Sequence, residues 1–406
     1  MSTVGGCPIA QNQAPTCLRP RVARGDNRRG MKTPLAWLNL LHQRARTAVA
    51  IAGVAFAVVL VLMQLGFLAS VRQTATRIFD HLEFDILLTS PEYLHLAKAG
   101  TIPRFRLAQA AALPQVAESS GLDVGFQLWR NAETGQRRGI LMLAFDPRDR
   151  VFQDEDIVEQ QLRLEKPGTV LVDQMSRAEF GPKSTGVTTE VGRRQVHIVG
   201  EFSLGTGFTA DGALITSEAT LHRLLPIRKP TTVSLGLIRL EPGADPDQVA
   251  TALREVLPRD VRVLTRENIN ANERHHWMIK TSVGVIFGFG VLVALFVGTA
   301  IVYQVLSSDI ASHIAEYATL KAMGYPRRYL SRLVLTQALI LSVAGFVPGL
   351  LLADFLYRVT QRMTHIPVEM TLSRAAGVLV LSVGMCAVSG LASLAKVHSA
   401  DPADLF

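Results

Sequence analysis

The sequence predicts an α-helical membrane protein with four transmembrane helices and a large α+β domain between helices 1 and 2. Three observations carry that prediction. Of 406 residues, 48% are hydrophobic and only 19% charged, with a positive mean hydropathy, a balance that argues against a purely soluble protein. Four windows reach the roughly 20 predominantly apolar residues that a bilayer crossing needs: about Thr47 to Ala69, Ser282 to Tyr303, Val334 to Leu352 and Ala375 to Leu394. Between the first two windows, some 200 residues alternate short strand-like and helix-like runs. Buried core helices do not account for the windows, because the second has no charge between Lys280 and Asp309.

Residues 1–30 hold five arginines (Arg19, Arg21, Arg24, Arg28, Arg29) against one aspartate, among Gly, Pro and Gln without periodicity. They read as a disordered basic tail. The formal net charge of +8 is therefore expected to meet anionic membrane lipid, and no nucleic acid. Met31 offers a second start directly before the structured part. Residues 31–46 read as a cytoplasmic amphipathic helix: Thr33 caps it, Pro34 takes the first turn, and Leu35, Trp37, Leu38 and Leu41 alternate with Asn39, His42, Gln43, Arg44 and Arg46. Trp37 then lies at headgroup depth. Helix 1 follows over 47–70, too long and too deep in the chain for the apolar region of a signal peptide.

Residues 71–277 form the α+β domain. "FDILLTS", "LDVGFQLW", "GILMLAF", "TVLVD", "RQVHIVGEF", "GALIT" and "TVSLGLIRL" read as strands, and "RLAQAAAL", "DIVEQQLRL" and "PDQVATALREVL" as helices. "HHWMIK" returns the chain to the membrane, with Trp277 as interfacial anchor. Helix 2 occupies 281–306, a loop 307–332, helix 3 333–356, a short loop 357–374, helix 4 375–395 and a tail 396–406.

Gly284 and Gly288 make one GxxxG, Gly345 and Gly349 another, and Gly53 with Ala57 a small pair; each lets helices approach closely, within the subunit or across a dimer. Pro348 is expected to kink helix 3, and Gln64 and Gln337 to hydrogen-bond across helices. Only Asp354 lies near a span, at its edge. A relay of ionisable groups is missing, which argues against an ion-driven transporter.

Lys32, Arg44, Arg46, Lys321, Arg327, Arg328, Arg332 and Lys396 fall on one side, eight in all, against three (Arg358, Arg362, Arg374) between helices 3 and 4. The larger set belongs in the cytoplasm, with both termini, and the large domain outside.

Catalytic signatures are lacking. "FGPKSTG" fails as a phosphate loop, because Pro182 separates Gly181 from Lys183. "GTGFTA" (Gly205–Ala210) precedes a strand instead of a helix and reads as a hairpin turn. There is no H-E-x-x-H, and His275 and His276 cannot face one metal from a regular element. Asp154, Glu155 and Asp156 read as a helix N-terminus. Cys7 and Cys17 lie in the tail and Cys386 in helix 4, which leaves the domain no disulfide or cysteine metal site. The chain reads as non-catalytic, with no cofactor.

The loop "HIAEYATLKAMGYPRRYL" is the most informative stretch. On a helix beginning near Ser308, Ile310, Ile314, Tyr317 and Lys321 share one stripe with Ala318 and Met323 beside it, while Asp309, Ser312, His313 and Glu316 face away. Gly324 can take a left-handed terminal position and Pro326 prevents continuation. This stretch closely resembles the cytoplasmic loop of FtsX/MacB-like ABC transporter permeases, particularly the DevC type of cyanobacteria. "TPLAWLNLLHQRART" and the final "HSADPADLF" resemble the same group, as does the order of spans and domain, so the resemblance covers about Met31 to Phe406.

The resemblance implies an inner-membrane permease that works as a homodimer with separate cytoplasmic ABC ATPase subunits. Ile314, Glu316, Tyr317, Leu320, Lys321, Met323, Gly324 and Tyr325 would couple to the ATPase, through the Ile314, Tyr317 and Met323 side, with Arg327 and Arg328 at the headgroups. It implies a periplasmic domain that meets a membrane-fusion adaptor and, through it, an outer-membrane channel, with motion transmitted mechanically and a lipid-like cargo such as a glycolipid. Two other members of the superfamily keep the same loop: an FtsX-like regulatory subunit that activates a cell-wall hydrolase, and a lipoprotein-releasing permease. The size of the domain favours export over the former.

Overall fold

The computed structural model describes residues 44–205, 207–312, 323, 326–364 and 366–398. The expected basic tail, most of the surface helix at 31–46 and the chain beyond residue 398 lie outside the described residues. In order, the chain forms α1 (Arg44–Thr74), α2 (Arg77–His81), β1 (Ile86–Thr89), β2 (Ile102–Pro103), α3 (Phe105–Ala111), β3 (Val116–Arg130), β4 (Arg137–Phe145) and α4 (Glu155–Val158). There follow β5 (Thr169–Asp173), β6 (Thr188–Val191), β7 (Arg194–Phe202), β8 (Ala213–Ser217), α5 (Glu218–Leu224), β9 (Thr232–Val233), β10 (Leu235–Leu240) and α6 (Pro246–Val256). Last come β11 (Arg262–Thr265), α7 (Arg266–His275), α8 (Ser282–Ser312), α9 (Arg327–Thr364) and α10 (Leu372–His398).

Four of these, α1, α8, α9 and α10, are long and apolar enough to cross a membrane. Two run further than expected. The separate helix expected to begin near Ser308 does not start there, because α8 continues unbroken through Ser312; nothing in "YQVLSSDIAS" is Gly or Pro, so no residue interrupts the ladder. Likewise α9 passes Asp354 and ends at Thr364, which shortens the expected 357–374 loop. Tyr357 explains the extension: it is buried, and its hydroxyl donates to the Leu62 carbonyl of α1.

Small residues set the helix packing. α1 lies against both α8 and α9, and α10 against α8 and α9. A Cβ at Gly345 would stand 2.5 Å from Val54 Cβ, and one at Gly349 2.9 Å from both Val58 Cβ and the Ala55 carbonyl oxygen. On the other flank, a Cβ at Gly298 would stand 2.8 Å from Ala57 Cβ, and one at Gly53 2.8 Å from Ile301 Cγ2. Val54, Val58, Leu62, Ala294, Ala338, Leu341 and Val378 close the core between them. Ser342 and Ser382 hydroxyls pair at 3.0 Å between α9 and α10, and the Ser389 hydroxyl donates to the Thr299 carbonyl at 3.1 Å. The outward residues of α8, Val285, Ile286, Phe289, Leu292, Val293 and Phe296, are exposed at a helical spacing suited to lipid.

The α+β domain is organised by one strand. The sheet runs β11-β1-β10-β3-β4-β8-β5-β7-β6, and β6 also pairs with β3. Over its first half β3 pairs antiparallel with β10, up to Leu122 opposite Leu235; from Asp123, opposite Ala144, it pairs with β4. The pairing of Trp129 and Arg130 with Val191 and Glu190 then closes β3, β4, β8, β5, β7 and β6 into a ring. The other part, β11-β1-β10-β3, is an antiparallel sheet covered by α3 and α6, with Ile86, Leu88, Leu107, Ile238, Val249 and Leu253 in its core. Helix α6 starts where Asp245 accepts the Asp247 N–H at 3.0 Å and Pro246 takes the first turn. The strand β4 is buried on both faces: Ile140, Met142 and Ala144 join one core, Leu141, Leu143 and Phe145 another, as period two requires.

Three local readings change. "TVSLGLIRL" is two strands, because Ser234 breaks it: its N–H donates to Asp123 Oδ1 at 3.2 Å and its hydroxyl accepts from the Val124 N–H at 3.0 Å. "DIVEQQLRL" splits after Val158 into a 3-10 turn at Gln161–Glu165, since the Gln160 side chain holds the β7 backbone at Glu201. "GTGFTA" is not a hairpin turn: β7 and β8 are not partners, and β5 lies between them. The acids at 154–156 do open a helix, but Asp154 makes no cap and holds His81 Nδ1 at 2.9 Å instead.

Candidate functional site

Two segments join the domain to the long helices: α1–α2 on entry and α7–α8 on exit. Arg266, first residue of α7, ties them together. Its guanidinium donates to the carbonyls of Phe79 (3.0 Å), Leu82 (2.7 Å) and Phe84 (2.7 and 3.0 Å), and lies 4.1 Å over the Phe84 ring. Burial lowers its pKa, and the charges of Asp85 and Asp80 oppose that. Each such charged hydrogen bond is worth about 1.5–3 kcal/mol net, and together they tie the exit segment to the entry segment.

A second contact lies one helix length further on. Tyr93, in the loop between β1 and β2, donates its hydroxyl to Glu273 Oε1 on α7. Glu273 is 1% exposed, and burial pushes its carboxyl up to about 7 against the hydrogen bonds it receives. Oε2 has no partner among the described residues. Beyond it, His276 stacks on His95 at 4.7 Å, with Trp277 edge-on to His95 at 5.7 Å. Burial and the neighbouring His276 and Lys98 charges hold the His95 imidazole down at about 4, so the His95 ring is uncharged at neutral pH. Trp277, expected as an interfacial anchor, packs against His95 of the domain.

The chain then turns through a π-helical stretch, His276–Lys280. Thr281 is extended, its hydroxyl donating to the Trp277 carbonyl at 2.6 Å, and α8 starts. Gly284 lies here: a Cβ would run into the carbonyl oxygens of Trp277 and Met278. Its contact is thus with the preceding turn of its own chain, while a Cβ at Gly288 would meet nothing within 4 Å.

The third contact is the β7–β8 crossover. Asp173, at the end of β5, accepts the N–H groups of Met175 (2.9 Å), Leu204 (3.1 Å) and Gly205 (2.9 Å); burial raises its pKa and these bonds oppose the rise. Gly205 and Gly207 take positive φ, +67° and +58°, and Gly207 sits so close to Thr74 at the end of α1 that any side chain would collide. Phe208 packs edge-on at 6.3 Å on Phe287 of α8, which stacks at 5.1 Å on Phe67 of α1. In "FGPKSTG", Lys183 is engaged by the Gln174 and Ser176 carbonyls, a structural use.

Of the expected coupling residues, Ile314, Glu316, Tyr317, Leu320, Lys321, Gly324 and Tyr325 lie outside the described residues. Met323 is described, in a turn and 63% exposed, shortly before α9 opens at Arg327. No group of three or more metal-ligating side chains occurs among the described residues. The junction residues Arg266, Tyr93, Glu273 and Asp173 carried no sequence signal, and "GTGF" was read as a hairpin turn and not as the close approach to α1 that it makes.

The family model of the MacB-like periplasmic core domain matches residues 47–256, just over half of the chain, and that of the FtsX-like permease C-terminal matches residues 288–402. The chain belongs to the FtsX/MacB-like family of ABC transporter permeases. With four membrane-length helices, this permease is a membrane-spanning protein. An uncharacterized ABC transporter permease of Mycobacterium tuberculosis, from strains CDC 1551 / Oshkosh and ATCC 25618 / H37Rv, is 23% identical over 235 residues, which is 58% of this chain. The permease spans 61% of the length of those relatives. Among solved structures, the periplasmic region of MacB from Actinobacillus actinomycetemcomitans matches 48% of the permease and 94% of that chain, at 10% identity and a TM-score of 0.33. The extracellular domain of the noncanonic ABC-type transporter YknZ from Gram-positive bacteria matches 45% of the permease and 100% of that chain, at 13% identity and a TM-score of 0.29.

Proposed function

We propose that the permease is the membrane subunit of an ABC exporter, moved by a separate cytoplasmic ATPase and passing that motion to its sheet domain. The observation that carries this reading is the pair of family models on one chain, joined by the tied junction around Arg266. The termini lie in the cytoplasm and the domain in the periplasm, where it meets a membrane-fusion adaptor and outer-membrane channel. Two copies form the transporter, with Gly288 and its exposed neighbours free to face lipid or the second copy. Ile314, Glu316, Tyr317, Leu320, Lys321, Met323, Gly324 and Tyr325 dock the ATPase. The cargo is lipid-like, in keeping with the DevC-type resemblance of the loop.

Purification from native membranes in mild detergent, followed by identification of co-purifying chains, tests the assignment. An ATPase and an adaptor are expected; recovery of no ATPase overturns it. Within such a complex, Tyr317→Ala with Met323→Ala should abolish transport-stimulated ATP hydrolysis, and unchanged stimulation would remove the coupling role.

A further inference from the structure

We infer that the cleft between α2 and the domain-side end of α9 binds the phosphate-bearing headgroup of a membrane lipid. The cleft, of about 810 Å³, is lined by Gln73, Arg77, Arg358, Gln361 and Arg362, and also by the acidic Asp80 and Glu369. Of the three arginines, only Arg358 has an acidic partner, Asp354 at 2.8 Å; neither Arg77 nor Arg362 forms an ion pair among the described residues. His81, also at the cleft, is committed to Asp154. Two guanidinium groups of this kind can present paired donors to one phosphate.

Arg77 opens the short α2, with Asp80 in the same turn, and Arg362 lies in the last turn of α9; the two guanidinium groups reach the cleft from the two elements that bound it, and an anion between them pairs with both. A lipid, and not a free anion, is indicated by the neighbouring face of α9: Phe355, Val359 and Met363 are exposed at successive turns beside Arg358 and Arg362. Acyl chains lying along that stripe bring the headgroup to the arginines. Binding of this kind requires the four helices to lie in a bilayer, and requires neither the cargo nor the ATPase proposed above.

The test uses the full permease in a neutral detergent, titrated with phosphatidylglycerol, with an uncharged galactosyl diacylglycerol, and with inorganic phosphate, and reads bound molecules per chain by native mass spectrometry. Phosphatidylglycerol should bind, and Arg77→Gln with Arg362→Gln should weaken it by roughly tenfold per arginine. Arg137→Gln, on the exposed start of β4, should leave it unchanged. Should the double Gln variant aggregate, the double Arg→Lys variant decides, because it keeps the charges and loses the paired donors, and its affinity should fall between the two. Wild-type affinity in either double variant, or equal binding of the galactolipid, overturns the phosphate assignment. Inorganic phosphate binding as tightly as phosphatidylglycerol overturns the lipid one.

Discussion

Arg266 is half-buried, and its guanidinium is satisfied by main-chain carbonyls of the entry segment. Carbonyls at 79, 82 and 84 belong to a short helix and the turn leaving it, whose side chains Phe79, Leu82 and Phe84 are buried in the domain core, with Gln153 Nε2 also donating to the Leu82 carbonyl. Arg266→Gln leaves these acceptors short of donors, a loss of about 3 kcal/mol if only two bonds are not replaced by water. A fall in the apparent unfolding temperature of the purified permease is expected, with Arg266→Lys between variant and wild type. An Arg266→Gln protein that melts with the wild type would show that the two connections are not tied through this side chain.

At the scale of elements, the contact between the β1–β2 loop and α7 is sensitive to pH through Glu273. Its folded-state pKa of about 7 lies above the usual 4.5, so the protonated carboxyl favours the folded form. That contribution is fully present below about 4.5 and is lost as pH rises through about 7, a difference of roughly 3 kcal/mol. His95 acts in the opposite sense: held at about 4, it makes the fold less stable as pH falls below its usual 6.5. Comparing wild type with Glu273→Gln isolates the first effect. The Gln variant should gain on wild type in unfolding temperature between pH 5 and pH 8; parallel pH profiles would remove Glu273 as the cause.

The same scale shows what the residues alone could disclose. The long apolar runs and the alternating pattern of β4 were legible because period and length decide them. Side chains that bind a distant backbone were not: Ser234 splits a strand through Asp123, more than a hundred positions away, and Gln160 ends a helix by holding β7. The end of α9 was misplaced because Asp354 and Arg358 look like the edge of a span, whereas they pair with each other along the helix at 2.8 Å and Tyr357 between them is buried against α1. Both GxxxG pairs were visible, but only three-dimensional proximity separates Gly345 and Gly349, which face α1, from Gly284, which faces its own turn.

For the whole molecule, α8 follows the sheet domain in sequence and precedes residues 313–325. If the proposed orientation holds, Glu133→Cys in the β3–β4 turn should react with a membrane-impermeant thiol reagent added to spheroplasts, and Met323→Cys only after permeabilisation, each in a background without Cys7, Cys17 and Cys386. Reaction of Met323→Cys in intact spheroplasts would invert the topology and with it the place of the ATPase.

The shared strand β3 also limits how such a protein can vary. Its 15 residues, about 50 Å of extended chain, give their first half to the helix-covered sheet and their second half to the ring. No cut in the sequence frees the ring as a self-contained insert, since any excision carries off half of β3 or leaves a torn edge in the sheet that remains. A recombination crossover within β3 must therefore match the register on both sides, against β10 and against β4, to yield a folded protein.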